Sequence, residues 1–135
     1  MAALDTNVLV RYIEHGDNSS QHVAARKLVN SALLANDTFF IPITVTLELE
    51  WILRSAFKYS KRQAIDTLFD LMASVELSFQ FENAAEIALV SYDEGAADFA
   101  DYVHIALSHL SDNKPMWTFD KVASKAVGAK LLASH

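Results

Sequence analysis

The chain has 135 residues, 52% of them hydrophobic, enough for one domain with a buried core and too few for two ordinary ones, so residues 1–135 are expected to form a single domain. A net charge of −6, from 17 acidic and 11 basic residues, argues against holding nucleic acid through a broad cationic surface. It leaves open a phosphodiester held by a divalent cation in an acidic pocket. With no Cys, no secretory leader and no apolar run near the ~20 residues of a membrane span, the expectation is a cytoplasmic protein without disulfides or a membrane anchor.

Residues 2–5 read as a short buried strand and residues 7–12 as the first turns of a helix. Turn and capping chemistry over 17–20 precedes a helix whose Val23, Leu28, Val29, Ala32 and Leu33 recur at helical spacing. Residues 38–43 form a second strand, rich in Phe and Ile. Thr44 is expected to cap a helix running to about Phe57, and Ser60 to cap the next, whose Ala64, Leu68, Leu71 and Met72 make an apolar stripe. Residues 75–81 alternate as a strand, and 82–92 and 98–110 are helical. SDNKP then turns the chain into a strand over 116–119, followed by a short helix near 122–127 and a last strand at 130–133. Strands separated by helices need crossover connections, which gives an α/β fold, a three-layer α/β/α sandwich with a mostly parallel central sheet. Ligand sites in such folds lie beyond the carboxyl ends of the strands.

Carboxylates occupy unusual positions at four places. Asp5 ends the first strand where the chain turns into a helix, and it reads either as an N-cap or, if Thr6 or Asn7 caps instead, as a ligand facing the crevice. Within TVTLELEWILRSAF, Val45, Leu49, Ile52 and Ala56 form one stripe, and Glu48 falls on its edge. Glu50 falls nearly opposite, four residues before Arg54, and reads as a solvent-side ion pair. Asp98 and Asp101 share a helix face, with Phe99, Val103, Ala106, Leu107 and Leu110 on the opposite, core-facing side. Both acids also suit a helix N-terminus for capping and dipole reasons alone. Asp120 ends the strand MWTFD and repeats the setting of Asp5. Several carboxylates above one sheet edge need compensation, and a hard cation such as Mg²⁺ or Mn²⁺ supplies it.

Four segments, LDTNVLVRYI, LELEWILRSAF, GAADFADYVHIA and WTFDK, resemble in order and spacing the PIN-domain ribonucleases, and in particular the VapC-type toxins of toxin-antitoxin pairs. The resemblance implies a PIN-like α/β/α sandwich and a Mg²⁺- or Mn²⁺-dependent endoribonuclease that is cytoplasmic, usually a homodimer and inhibited by a cognate VapB-type antitoxin. It places the catalytic and metal-binding acids on Asp5, Glu48, Asp101 and Asp120, with Asp98, Thr6, Asn7 and Thr118 in supporting roles. A metal-activated water would cleave the RNA, leaving 5′-phosphate and 3′-hydroxyl ends. The segment VASKAVG, directly after WTFDK, lacks the family's usual aspartate–phenylalanine pair, and the start MAA lacks its usual larger β-former.

Arg11, Arg26, Lys27, Lys58, Lys61, Arg62 and Lys121 are candidate phosphate contacts or ordinary surface charges. Trp51, Leu53, Leu68, Phe69 and Met72 are core residues or a dimer or antitoxin surface. The alternative function is a non-catalytic PIN-like module that binds RNA or protein. A receiver-like phosphoacceptor domain is disfavoured because no second acid comes after LDTNV until Glu14, and a dehalogenase-type phosphatase because Asn7 stands where a general acid would be needed. His15, His22, His104, His109 and His135 lack metal-ligand spacing, and no G-x-S-x-G is present.

Overall fold

Pairs of helices separate short extended segments along most of the chain; some helices start on side-chain caps, whereas the helix Ile43–Ser55 starts after Pro42, with the expected cap Thr44 inside it, and the helix Glu82–Glu94 after a left-handed Phe81. The structure, a computed structural model, describes residues 1–14 and 19–134. His15, His135 and the Asp17–Asn18 part of the expected turn lie outside the described residues. Contacts divide the chain into two compact units, Met1–Gln80 and Phe81–His135.

In the first unit, the chain enters at residues 2–4 alongside β1 (Phe39–Ile41). The Leu4 N–H donates to the Phe40 carbonyl at 3.1 Å, and the Phe40 N–H to the Ala2 carbonyl at 2.8 Å. On its other side β1 pairs in parallel with β2 (Leu77–Phe79), Phe39 opposite Leu77. The expected first strand is therefore one parallel bridge on the edge of a short ladder. Both strands alternate buried, half-buried, buried, the mark of a sheet with one face in a core.

Four helices accompany this ladder. α1 (Thr6–Ile13) packs on α2 (Ser20–Leu34) and α3 (Ile43–Ser55), α3 packs on α4 (Lys61–Met72), and α4 packs on β2. Ser19 caps α2 through the His22 N–H. Ser60 caps α4 in a capping box, with the Gln63 side chain returning to the Ser60 N–H at 2.8 Å. The expected stripe of α4 is buried throughout. That of α2 is not: Ala25, Val29 and Ala32 are buried, while Val23, Leu28 and Leu33 are exposed. Positions i, i+4 and i+7, two of them alanines, line the buried face of α2, and Val23, Leu28 and Leu33 fall outside that narrow stripe.

In the second unit, α5 (Glu82–Glu94) packs its buried Ala84, Ala85, Ala88 and Leu89 on α6 (Phe99–Leu110). Core positions of α6 are Phe99, Tyr102, Val103, Ile105 and Ala106, whereas Leu110 is exposed. The core face is thus turned toward Tyr102 and Ile105, away from the arc expected through Leu110. β3 (Met116–Thr118) pairs in parallel with β4 (Ala129–Leu131), with a 3-10 turn (Ala123–Lys125) between them. Gly128 leads into β4 at φ 96°, where a side chain would also press on the His109 ring, so both conformation and space require glycine. Every strand pairing among the described residues is parallel, and the fold is α/β. No helix among the described residues is long and apolar enough to cross a membrane.

A half-buried tie holds α1 to the segment before β2. The Tyr12 hydroxyl donates to Glu76 Oε1 at 2.7 Å, and the Arg26 guanidinium lies 5.0 Å from the centre of the Tyr12 ring. Burial, then the Glu76 hydrogen bond and charge, push the Tyr12 phenol from 10.0 up to about 12. The fold favours the neutral phenol, so this contribution to stability is intact below pH 10.0 and is lost as the pH rises through about 12. Tyr12→Phe is therefore expected to flatten the fall in stability across that window, read as the urea midpoint against pH.

Candidate functional site

Asp5 occupies the N-cap of α1, in extended conformation at φ −83° and ψ 175°, and its Oδ1 accepts the Val8 N–H at 2.9 Å. The cap therefore falls to Asp5 rather than to Thr6 or Asn7. Its Oδ2 accepts no hydrogen bond among the described residues, and the side chain is exposed. Thr6 is buried, and its hydroxyl donates to Glu48 Oε1 at 3.2 Å, across 42 positions of sequence. That bond sets Glu48 of α3 beside the first turn of α1. Asn7 is exposed beside them.

The expected roles of Glu48 and Glu50 are exchanged as to burial. Glu48 is exposed, while Glu50 is buried, only 3% accessible. The pairing of Glu50 with Arg54 is present and bidentate, its second contact at 3.1 Å, but its carboxylate end is buried while Arg54 reaches partly into solvent. The buried arc of α3 is Val45, Thr46, Leu49, Glu50 and Leu53. It is rotated by roughly 60° from the stripe drawn through Ile52 and Ala56, enough to bring Glu50 in and leave Glu48 out. Leu53, 1% accessible, is the residue that would have given the true direction.

In the second unit Asp98 holds the N-cap of α6, and Asp101 completes a capping box whose Oδ2 accepts the Asp98 N–H at 3.3 Å. Asp98 is exposed and Asp101 half-buried. The loop into this helix is fixed from within: the Tyr102 hydroxyl accepts the Ala97 N–H at 3.3 Å and lies where a side chain on Gly95 would stand. At the end of β3, Asp120 Oδ1 accepts the N–H groups of Val122 and Ala123 at 2.8 and 3.1 Å. The Thr118 hydroxyl accepts the Asp120 N–H at 3.0 Å. Among the described residues, neither unit by itself gathers three His, Asp or Glu side chains into a metal-holding group.

Several of the candidate phosphate contacts are engaged within the first unit. Arg11 pairs with Glu14 at 3.2 Å, Arg62 with Asp66 at 2.7 Å, and Arg26 lies on Tyr12. His22 Nδ1 lies 2.7 Å from the Arg11 carbonyl, and His104 is exposed on its helix. Leu53, Leu68 and Met72 are core residues, and Trp51 is exposed.

The PIN domain family model matches residues 2–128, across both units and all four acidic places. The chain belongs to the PIN domain family. No curated protein matches it. PIN domains are a nuclease-type fold that generally acts on phosphodiesters with the help of divalent metals, and membership sets aside the receiver-like reading. The candidate donors of this PIN domain are carboxylate, hydroxyl and carboxamide oxygens, a set that suits Mg²⁺ or Mn²⁺ and not a soft or nitrogen-preferring ion. Because Tyr102 holds the loop that carries Asp98, Gly95→Ala is expected to displace its hydroxyl and to destabilise the protein by about 1–3 kcal/mol. A thermal melt of that variant matching the parent's would show that the loop does not depend on this contact.

Proposed function

We propose that this PIN domain is a Mg²⁺- or Mn²⁺-dependent endoribonuclease, with the two compact units acting as one domain. Asp5, Glu48, Asp101 and Asp120 would hold the ion, with Asp98, Thr6, Asn7 and Thr118 supporting them. The observation that carries this reading is the Thr6–Glu48 hydrogen bond, which ties a carboxylate from the middle of the chain to the helix start that Asp5 caps. When bound, the ion would supply an activated water and neutralise charge on the phosphate. Thr6 orients Glu48 through Oε1 and leaves Oε2 available, as the Val8 N–H orients Asp5 through Oδ1. Thr118 fixes the turn that presents Asp120.

The finer assignment is the toxin half of a VapC-type toxin-antitoxin pair, cytoplasmic and homodimeric, with a VapB-type antitoxin as its inhibitor. Its support is the ordered set of four motifs, together with Trp51, an exposed aromatic on α3 suited to a protein partner. A small gene for a DNA-binding protein immediately upstream would agree with that role.

Asp5 separates catalysis from folding. Asn caps a helix as well as Asp does, so Asp5→Asn is expected to keep the parent's urea midpoint, while Asp5→Ala loses about 1 kcal/mol. Both variants are expected to lose RNA cleavage by more than about a hundredfold, beyond the range of outer-shell changes around a metal. Cleavage by the parent should stop in chelator and return with Mg²⁺ or Mn²⁺. Undiminished cleavage by Asp5→Asn, or cleavage that persists in chelator, would reject the proposal.

A further inference from the structure

A recess of about 260 Å³ opens in the first unit, bordered by the last turn of α1, by α2, by α4 and by the segment between α3 and α4. Its polar rim carries opposite charges that are not paired with each other: Arg26 from α2 and Asp70 from α4. Arg26 lies against the Tyr12 ring, and its buried Nε has no hydrogen-bond acceptor among the described residues. With Nε buried, the terminal Nη1 and Nη2 are the donors the guanidinium can offer a ligand, side by side and suited to a pair of acceptors. The Asp70 carboxylate is exposed and accepts no hydrogen bond among the described residues. Thr67 and Ser74, also on the rim, already donate to the carbonyls of Gln63 and Asp70. The Tyr12 hydroxyl is likewise committed to Glu76, and Ile13, Leu71 and the Tyr59 ring supply apolar and aromatic wall.

The recess therefore asks for a small ligand with two acceptors on one edge, for Arg26, and donors on another, for Asp70. Its volume, below the about 300–1,000 Å³ of sites for drug-sized ligands, suits a single planar ring system. Among the RNA bases, guanine alone carries O6 and N7 side by side as acceptors and N1–H and N2–H₂ together as donors. Arginine against O6 and N7 is the commonest base-specific contact, and unstacked RNA bases are read in this way, on aromatic walls. We propose that this recess is a guanine-binding site, with Arg26 reading the O6/N7 edge and Asp70 the N1/N2 edge. That the guanine belongs to a substrate strand rests on the nuclease reading, and the site itself does not. α1 is eight residues long, so the recess lies about 12 Å along the helix from Asp5, a span of a few nucleotides.

The test is binding to the full chain in chelator, where metal-dependent cleavage cannot intervene. GMP, AMP, CMP, UMP and IMP are titrated by calorimetry, followed by a short single-stranded RNA containing one guanosine. GMP is expected to bind at least about tenfold tighter than AMP, CMP and UMP, and IMP, which lacks the N2 amino group, to fall between. Asp70→Ala, a change at an exposed position, is expected to erase the GMP-over-IMP preference without moving the melting temperature. Arg26→Gln is expected to weaken GMP by about tenfold or more, with Asp70→Ala as the control should the loss of stacking on Tyr12 disturb the fold. An RNA that binds tighter than GMP identifies a strand as the source, and one that binds no tighter identifies a free guanine nucleotide. Absence of GMP binding, or equal binding of the four nucleotides, overturns the proposal. Loss of cleavage in Asp5→Asn leaves these titrations unchanged, so failure here and failure of the nuclease reading can be told apart.

Discussion

Main-chain N–H groups at the start of a helix have no partner inside it, and at α1, α6 and the 3-10 turn this chain meets that need with carboxylates, as it does with serines at α2 and α4. Asp5 takes the Val8 N–H, Asp101 the Asp98 N–H, and Asp120 those of Val122 and Ala123. In each case one carboxylate oxygen is held by backbone. The capping role of these acids is compatible with the proposed chemical one, because a cap that uses one carboxylate oxygen leaves the other free of it. A carboxylate anchored through one oxygen loses rotamer freedom before any ligand arrives, which is the condition for a preorganised site.

The other interactions bear on how firmly those anchors are placed. Thr6 is buried and bound to Glu48, so the first turn of α1 cannot drift from α3 without breaking a hydrogen bond. At the opposite end of α1, Tyr12 is held by Glu76 and covered by Arg26. α1 is thus fastened at both ends, by one residue that orients an acid and by another that walls the recess. In the second unit Tyr102 does the same for the loop before α6, from one turn inside the helix.

Much of this is legible in the sequence, and the parts that escape it share a common cause. Ser60 with Gln63, the buried stripe of α4 and the acids at strand ends arise from local rules, because both partners lie within one turn of each other. The helix start at Asp5 is legible, but whether Asp5 or a neighbour caps it depends on a backbone angle that composition does not fix. The facing of α3 fails for a different reason. Ile52 and Ala56 suggest one stripe, while the core selects Leu53 and Thr46, and a modest rotation exchanges the settings of two glutamates. Leu28 and Leu33 read as core because they are large and apolar, yet close helix packing takes the alanines. The Tyr12–Glu76 tie joins residues 64 positions apart, and no periodicity announces it.

The burial of Glu50 carries a consequence for how this helix can change. Removing Arg54 alone would take the bidentate cation from a buried carboxylate, and removing Glu50 alone would take that carboxylate from a half-buried guanidinium. Replacing both with apolar side chains of matching volume meets neither difficulty. The two positions therefore form one unit of variation, and across homologous chains they should exchange together, so that a mismatched pair in an alignment would mark a repacked helix and not a tolerated substitution.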